Sequence, residues 1–203
     1  MHEYMMRSLV EQHRHQFMSQ ADIRRQTGGG RADGSGFQPR EVRGIWAEGT
    51  MLDVRPIESD DTDRLKRLFG RLTTRSVQLR FFAPIRQLSR SQLTRLVDVD
   101  HDEREALVAL SHDEIVAVAR YARRERPGLA EIAVTVEDTW QQRGIGKRLS
   151  RRLSTLAVER GFDAFVASIL PENRAALRLV KALSPDAAIR WNHGVYEASI
   201  PLR

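Results

Sequence analysis

Glycines and basic side chains able to hold an anion are clustered in one stretch, Val134-Thr135-Val136-Glu137-Asp138-Thr139-Trp140-Gln141-Gln142-Arg143-Gly144-Ile145-Gly146-Lys147. A strand-like run ends near Val136 and a helical pattern begins near Gly144, so both glycines sit at a strand-to-helix turn. The first turn of a helix presents backbone N–H groups without acceptors, at the positive end of the helix dipole. Glycine at 144 and 146 leaves those donors open to a phosphate, and Arg143 and Lys147 add positive charge beside them. In physical terms this is a pyrophosphate cradle. The spacing matches neither the G-x-G-x-x-G dinucleotide turn nor a nucleotide loop that closes on Lys-Ser/Thr. The plainer alternative is a glycine-eased turn leading into a solvated arginine-rich face. Against it, the helix keeps Ile145, Leu149, Leu153 and Leu156 for the core while setting Lys147 one turn from Arg151, and Arg148 one turn from Arg152. Like charges at that spacing cost a few tenths of a kcal/mol per pair, which a nearby anion would offset.

The strand ahead of the turn, residues 129–136, carries the second chemical candidate. Alternation puts Ala130, Ile132, Val134 and Val136 on one apolar face, and Glu131 on the other with Ala133 and Thr135. An amine of lysine type has a pKa of about 10.4, so it must lose a proton before it can attack a carbonyl. A carboxylate such as Glu131 can take that proton, directly or through one water. The alternative is a solvent-facing glutamate paired with one of the thirty arginines.

Composition bounds what surrounds these groups. The 203 residues are 41% hydrophobic and 30% charged, a globular balance for one domain with an appendage. Cysteine is absent, which excludes disulfides, thiolate metal sites and an acyl-cysteine intermediate. The net charge is +6, and residues 143–160 hold six basic side chains against Glu159 alone. A nucleic-acid face would spread its basic residues more widely, so the pattern favours a compact anion. His101 with Asp100, Asp102 and Glu103 reads as a solvated loop, and His2, His13 and His15 lack ligand-spaced partners, so no metal is expected. No apolar segment is long enough to span a membrane. Glu3, Arg7 and Glu11 interrupt the N-terminal residues, unlike a signal peptide, so a cytoplasmic protein is expected.

The elements that must position the candidates follow from periodicity. Residues 2–26 read as a helix with Met6, Leu9, Val10, His13 and Phe17 on one stripe, able to mediate self-association or bind another protein. Residues 27–50 have a linker's glycine content, and the main domain is expected over 51–203. There the pattern predicts a strand at 51–56, helices over 59–69, 73–80 and 89–97, and strands at 105–110, 115–123 and 129–136. A helix over 144–160, a strand at 164–170, a helix over 173–183 and a closing hairpin of 187–192 with 195–200 complete it. The order implies a mixed α/β sheet rather than a regular βαβ repeat.

Gln141-x-x-Gly144-x-Gly146 after a strand, followed by helix, strand and a helix opening at Asn173-x-x-Ala176-x-x-Leu179, resembles the GNAT superfamily of N-acetyltransferases over roughly residues 51–200. Leu79-Arg80-Phe81-Phe82, Val97-Asp98-Val99-Asp100 and Ala130-Glu131-Ile132-Ala133 resemble more narrowly the acetyltransferase domains of bacterial protein lysine acetyltransferases. The resemblance implies a GNAT fold and acetyl-CoA as donor, with its pyrophosphate on the backbone of Gln142, Arg143, Gly144, Ile145, Gly146 and Lys147 beside Gln141. It implies that the pantetheine arm pairs along Val134 and Val136, that Asn173 touches the arm, and that Glu131 is the general base. Asn173 after Pro171 also suits a helix cap, a compatible role. The acceptor implied is a protein lysine or a small amine, reached by direct transfer in a ternary complex. One departure stands out. Val180 occupies the position where many members carry a tyrosine that protonates the leaving thiolate; Tyr196, Ser184 or water are the substitutes, and an acetyl-CoA-binding module with little turnover is the alternative.

Overall fold

A computed structural model describes residues 44–202. The expected N-terminal helix over 2–26 and the linker up to residue 43 lie outside the described residues. The strands are β1 (Ile45–Ala47), β2 (Thr50–Pro56), β3 (Arg104–Ser111), β4 (Glu114–Arg123), β5 (Leu129–Val136), β6 (Ala164–Ile169), β7 (Ala188–Asn192) and β8 (Val195–Pro201). The α-helices are α1 (Thr62–Arg71), α2 (Thr74–Phe81), α3 (Arg90–Val97), α4 (Ile145–Glu159) and α5 (Arg174–Leu183). The strands form one sheet in the order β1-β2-β3-β4-β5-β6-β8-β7, antiparallel except for the β5–β6 pair. This is the mixed α/β architecture that the sequence predicts.

Local chemistry sets the boundaries. Ser89 caps α3 by accepting from the Gln92 N–H, while the Gln92 side chain accepts from the Ser89 N–H. Thr73 caps α2 by accepting from the Ser76 N–H at 3.2 Å. His112 and Asp113 both adopt positive φ between β3 and β4, the handedness that suits a two-residue hairpin.

The sheet begins inside the segment that glycine content assigns to a linker over 27–50. Ile45 and Ala47 are 2% and 0% exposed, and β1 pairs with β2 through Trp46↔Met51. Glu48 and Gly49, at φ 41° and 83°, make the two-residue turn between them. Here glycine serves a hairpin rather than a tether, which moves the start of the domain from 51 to about residue 44.

Helices cover both faces. On one, Ile145, Leu149 and Leu153 of α4 pack with Ala130 and Ile132 of β5 and with Tyr121 of β4. Burying one such leucine contributes about 1.5–3 kcal/mol. On the other, Leu65 and Leu68 of α1 and Leu93 and Val97 of α3 pack on Ala106, Val108 and Val118. The irregularity that matters lies between β5 and β6. They pair only at Leu129↔Ala164, Ala130↔Phe165 and Glu131↔Val166. Beyond that point β5 stays with β4 as far as Ala117↔Val136, while β6 stays with β8 as far as Ile169↔Tyr196. The two strands part directly after Glu131.

Candidate active site

The parting opens a cleft of about 660 Å³. One wall is β5, whose backbone beyond Glu131 has no strand partner on its β6 side. Buried backbone amides require partners, so this edge can pair with the amides of an extended ligand. The far end of the cleft is the first turn of α4. Gln142 and Gly144 take positive φ of 64° and 74°, and the Arg148 N–H donates to the Gly144 carbonyl at 3.1 Å as the first bond of the helix. The N–H groups of Ile145, Gly146 and Lys147 thus have no acceptor within the helix, at its positive pole.

Gly146 is informative. A Cβ there would meet Val134 Cγ1 at 3.5 Å and Val136 Cγ2 at 3.6 Å, ordinary contacts. The protein by itself has room for alanine, so internal packing does not require glycine. A ligand drawn close to the helix N-terminus does account for it.

Side chains hold the cradle in shape. Arg148 Nη1 donates to the Arg143 carbonyl at 3.0 Å, and Arg143 Nη2 donates to the Thr139 carbonyl at 2.9 Å. The Arg143 guanidinium lies 4.9 Å from the Trp140 ring centroid and its Nε is 3.5 Å from Glu48. Gln141 Nε2 donates to the Val136 carbonyl at 3.1 Å, tying the loop to the strand end. Asp138 accepts from the Thr73 N–H, the Thr73 hydroxyl and the Ser76 hydroxyl, which fastens α2 beside the loop. Burial acts to raise the Asp138 pKa, but these donors outweigh it and hold the carboxyl below its ordinary value.

Glu131, Val134, Val136, Gln141, Gln142, Gly144, Ile145, Gly146, Lys147 and Asn173 all line the cleft. Arg143 does not; its side chain braces the loop from outside. Arg152 turns away as well, donating to the Gly44 carbonyl at 3.1 Å, so it anchors the start of the sheet rather than answering an anion. Asn173 Oδ1 accepts from the Ala176 N–H at 3.0 Å, the capping role, while its residue faces the cleft. Glu131 Oε2 accepts from Arg124 Nη1 at 2.9 Å, and the side chain is 21% exposed. Val180, 4% exposed, lines the cleft with no proton to give. Neither Tyr196 nor Ser184 lines it; the hydroxyl residues that do are Ser76, Thr135 and Ser168.

Sequence reasoning passed over two residues. Arg80, near the end of α2, lines the cleft and also an adjoining cavity, and Arg120 of β4 lines that cavity. Removal from water pushes both arginines down, to about 10 and about 9, with Glu131 opposing the shift at Arg80. Guanidinium groups stay protonated in proteins, so the shifts report charge drawn partly out of water. The available signal was a lone arginine in the otherwise apolar run 115–122.

Comparison with known proteins agrees with this geometry. The Acetyltransferase (GNAT) family matches residues 72–183. The acetyltransferase PA5475 of Pseudomonas aeruginosa is 31% identical over 156 residues, covering 72% of this chain and 84% of its own length. The GNAT domain of S. lividans PAT superposes with a TM-score of 0.70 at 29% identity, covering 76% of this chain and 93% of that one. The acetyltransferase yncA of Salmonella typhimurium, solved with its cofactor acetyl-CoA, shares the fold with a TM-score of 0.60 at 17% identity, over 75% of this chain and 94% of that one. The chain belongs to the GNAT family of acetyltransferases.

Proposed function

We propose that this N-acetyltransferase moves the acetyl group of acetyl-CoA onto a primary amine, a protein lysine, by direct transfer in a ternary complex. The observation that carries the reading is the parting of β5 from β6 directly after Glu131, with the open α4 N-terminus at the far end of the cleft. The N–H groups of Ile145, Gly146 and Lys147 hold the pyrophosphate, and Gln142 and Gly144 shape the loop around it. The free edge of β5 at Val134 and Val136 pairs with the pantetheine amides, and Asn173 meets the arm from α5. These groups put the thioester beside Glu131.

Glu131 then takes the proton from the ammonium of the acceptor. The freed amine forms the C–N bond, a backbone N–H near Val134 holds the developing oxyanion, the nitrogen passes its second proton to water, and the C–S bond breaks to release thiolate. Water supplies the final proton, because Val180 has none and a thiol of pKa about 8.5 leaves readily. We place the reaction in the cytoplasm; among the described residues no helix is long and apolar enough to cross a membrane.

The test is the rate of thiol release from acetyl-CoA with lysine-containing peptides. Glu131→Gln is expected to lower kcat by about 10²–10⁴-fold and to change acetyl-CoA affinity little. An unchanged kcat removes Glu131 from the mechanism. Acetyl-CoA binding without turnover by the parent would favour a module that binds acetyl-CoA to regulate or recruit.

A further inference from the structure

The acceptor side of β5 carries charge that the transfer reaction does not use. Across β4 and β5 the register places Arg120 opposite Ala133 and Ala122 opposite Glu131. Arg120 and Glu131 are therefore diagonal neighbours on one face, about 7–8 Å apart at the backbone. Arg80 reaches the same place from α2. Arg80, Ala133 and Thr135 line both the main cleft and the smaller cavity, so the two spaces meet beside the base.

That smaller cavity is walled by Leu68, Phe69, Phe81, Leu88 and Val118, and Arg120 lies within it. Among the described residues, no hydrogen-bond or ion-pair partner is found for Arg120, and the charges acting on it, Arg80 and Arg104, are both positive. Arg104 already pairs with Asp100 at 3.0 Å. Glu131 offsets Arg80 in part but is itself paired with Arg124. Arg120 is half-buried and lines the cavity. A charged fork in a largely apolar setting with no direct ion-pair partner is costly to keep, and an anion placed against it removes part of that cost.

We propose that Arg120, together with Arg80, seats a carboxylate carried by the acceptor close to the amine that Glu131 deprotonates. The inference rests on the reading of Glu131 as the base on the acceptor side. A cavity of about 40 Å³ takes a group the size of a carboxylate. That volume equals roughly three water positions, too few for a nucleotide or a sugar. The guanidinium fork matches a carboxylate in two parallel hydrogen bonds. The apolar walls then receive the chain joining carboxylate and amine. Two sources present this chemistry: a free amino acid, or an acidic side chain next to a lysine in a protein.

The test compares amines matched in shape: methionine with 3-(methylthio)propylamine, phenylalanine with phenethylamine, and end-blocked Glu-Lys with Ala-Lys peptides. The proposal expects the carboxylated member of at least one pair to be acetylated with kcat/KM about tenfold higher or more, and the ratio to fall toward one in Arg120→Gln. Preference in the amino-acid pairs assigns a small acceptor, and preference in the peptide pair assigns a lysine with an acidic neighbour. Arg120→Lys, which keeps the charge but loses the fork, is expected to retain only part of the preference. Acetyl-CoA affinity, measured on each variant, shows that the fold survives. Equal rates within every pair for the parent overturn the proposal. If no amine is turned over, calorimetric binding of N-acetylmethionine, a carboxylate with no free amine, decides the matter. Binding to both the parent and Glu131→Gln, and its loss in Arg120→Gln, would uphold the carboxylate seat even with Glu131 excluded as base. Absence of binding to the parent would overturn it.

Discussion

The two faces of β5 are built by different means. The face bearing Ala130, Ile132, Val134 and Val136 is completed by apolar packing under α4 and leads to a cradle made of backbone N–H groups. The face bearing Glu131, Ala133 and Thr135 is only partly covered by α2 and meets the side chains of Arg80, Arg120 and Arg124. A backbone site recognises a feature common to every donor molecule of one class. A side-chain site can be altered one residue at a time, which suits the half of the reaction where substrates differ.

Several changes should separate the faces. Leu153→Ala, at a position with 0% exposure beneath the sheet, is expected to cost about 2–5 kcal/mol in chemical denaturation and to weaken both halves of the site together. Gly146→Ala should split stability from binding. Its Cβ fits beside Val134 and Val136, so the helix gains about 0.5–1 kcal/mol, while acetyl-CoA affinity drops about tenfold or more. A variant that is more stable and binds acetyl-CoA as well as the parent would show that the ligand does not approach this turn.

Arg120→Met is the corresponding change on the face that bears Glu131. Removing a charge without a direct ion-pair partner from largely apolar walls should raise stability by about 1 kcal/mol, seen as a Tm higher by a few degrees, and leave acetyl-CoA binding intact. A lower Tm would mean that Arg120 supports the fold and is not held ready for a ligand.

The smallest effect concerns Asp138, which joins α2 to the loop before α4. Its folded pKa lies below its ordinary value of 3.8, so the stability it contributes is complete above that value and lost as pH falls through the lower folded pKa. Asp138→Asn should be less stable than the parent by about 1 kcal/mol near neutral pH, and the gap should close below about pH 4. A gap that persists into acid would place the loss in geometry rather than charge.

Much of this was legible beforehand, for physical reasons that differ by element. The strand 129–136 and the helix after Gly144 could be placed because alternation and the i, i+4 stripe report burial directly. The turn at Gly144 and the open helix start were legible because two glycines between a strand pattern and a helix pattern mark such a junction. β1 was hidden because one glycine can mark either a tether or a hairpin, and only the pairing of Trp46 with Met51 separates the two. Arg143 and Arg152 looked like anion ligands because periodicity gives a side chain's face but not its partner; here the partners are the Thr139 and Gly44 carbonyls. Arg80 and Arg120 are 40 residues apart in the chain, so only the fold brings them to one cavity.

The proposed acetyl-CoA site consists of the α4 N-terminus and the free edge of β5. Calorimetric titration of acetyl-CoA into the parent and into Gly144→Glu tests it most directly. The added carboxylate would meet the pyrophosphate at a position, φ 74°, that already disfavours a side chain. Saturable one-to-one binding to the parent and none to a folded Gly144→Glu is expected. Equal binding to both proteins, or none to a folded parent, would contradict it.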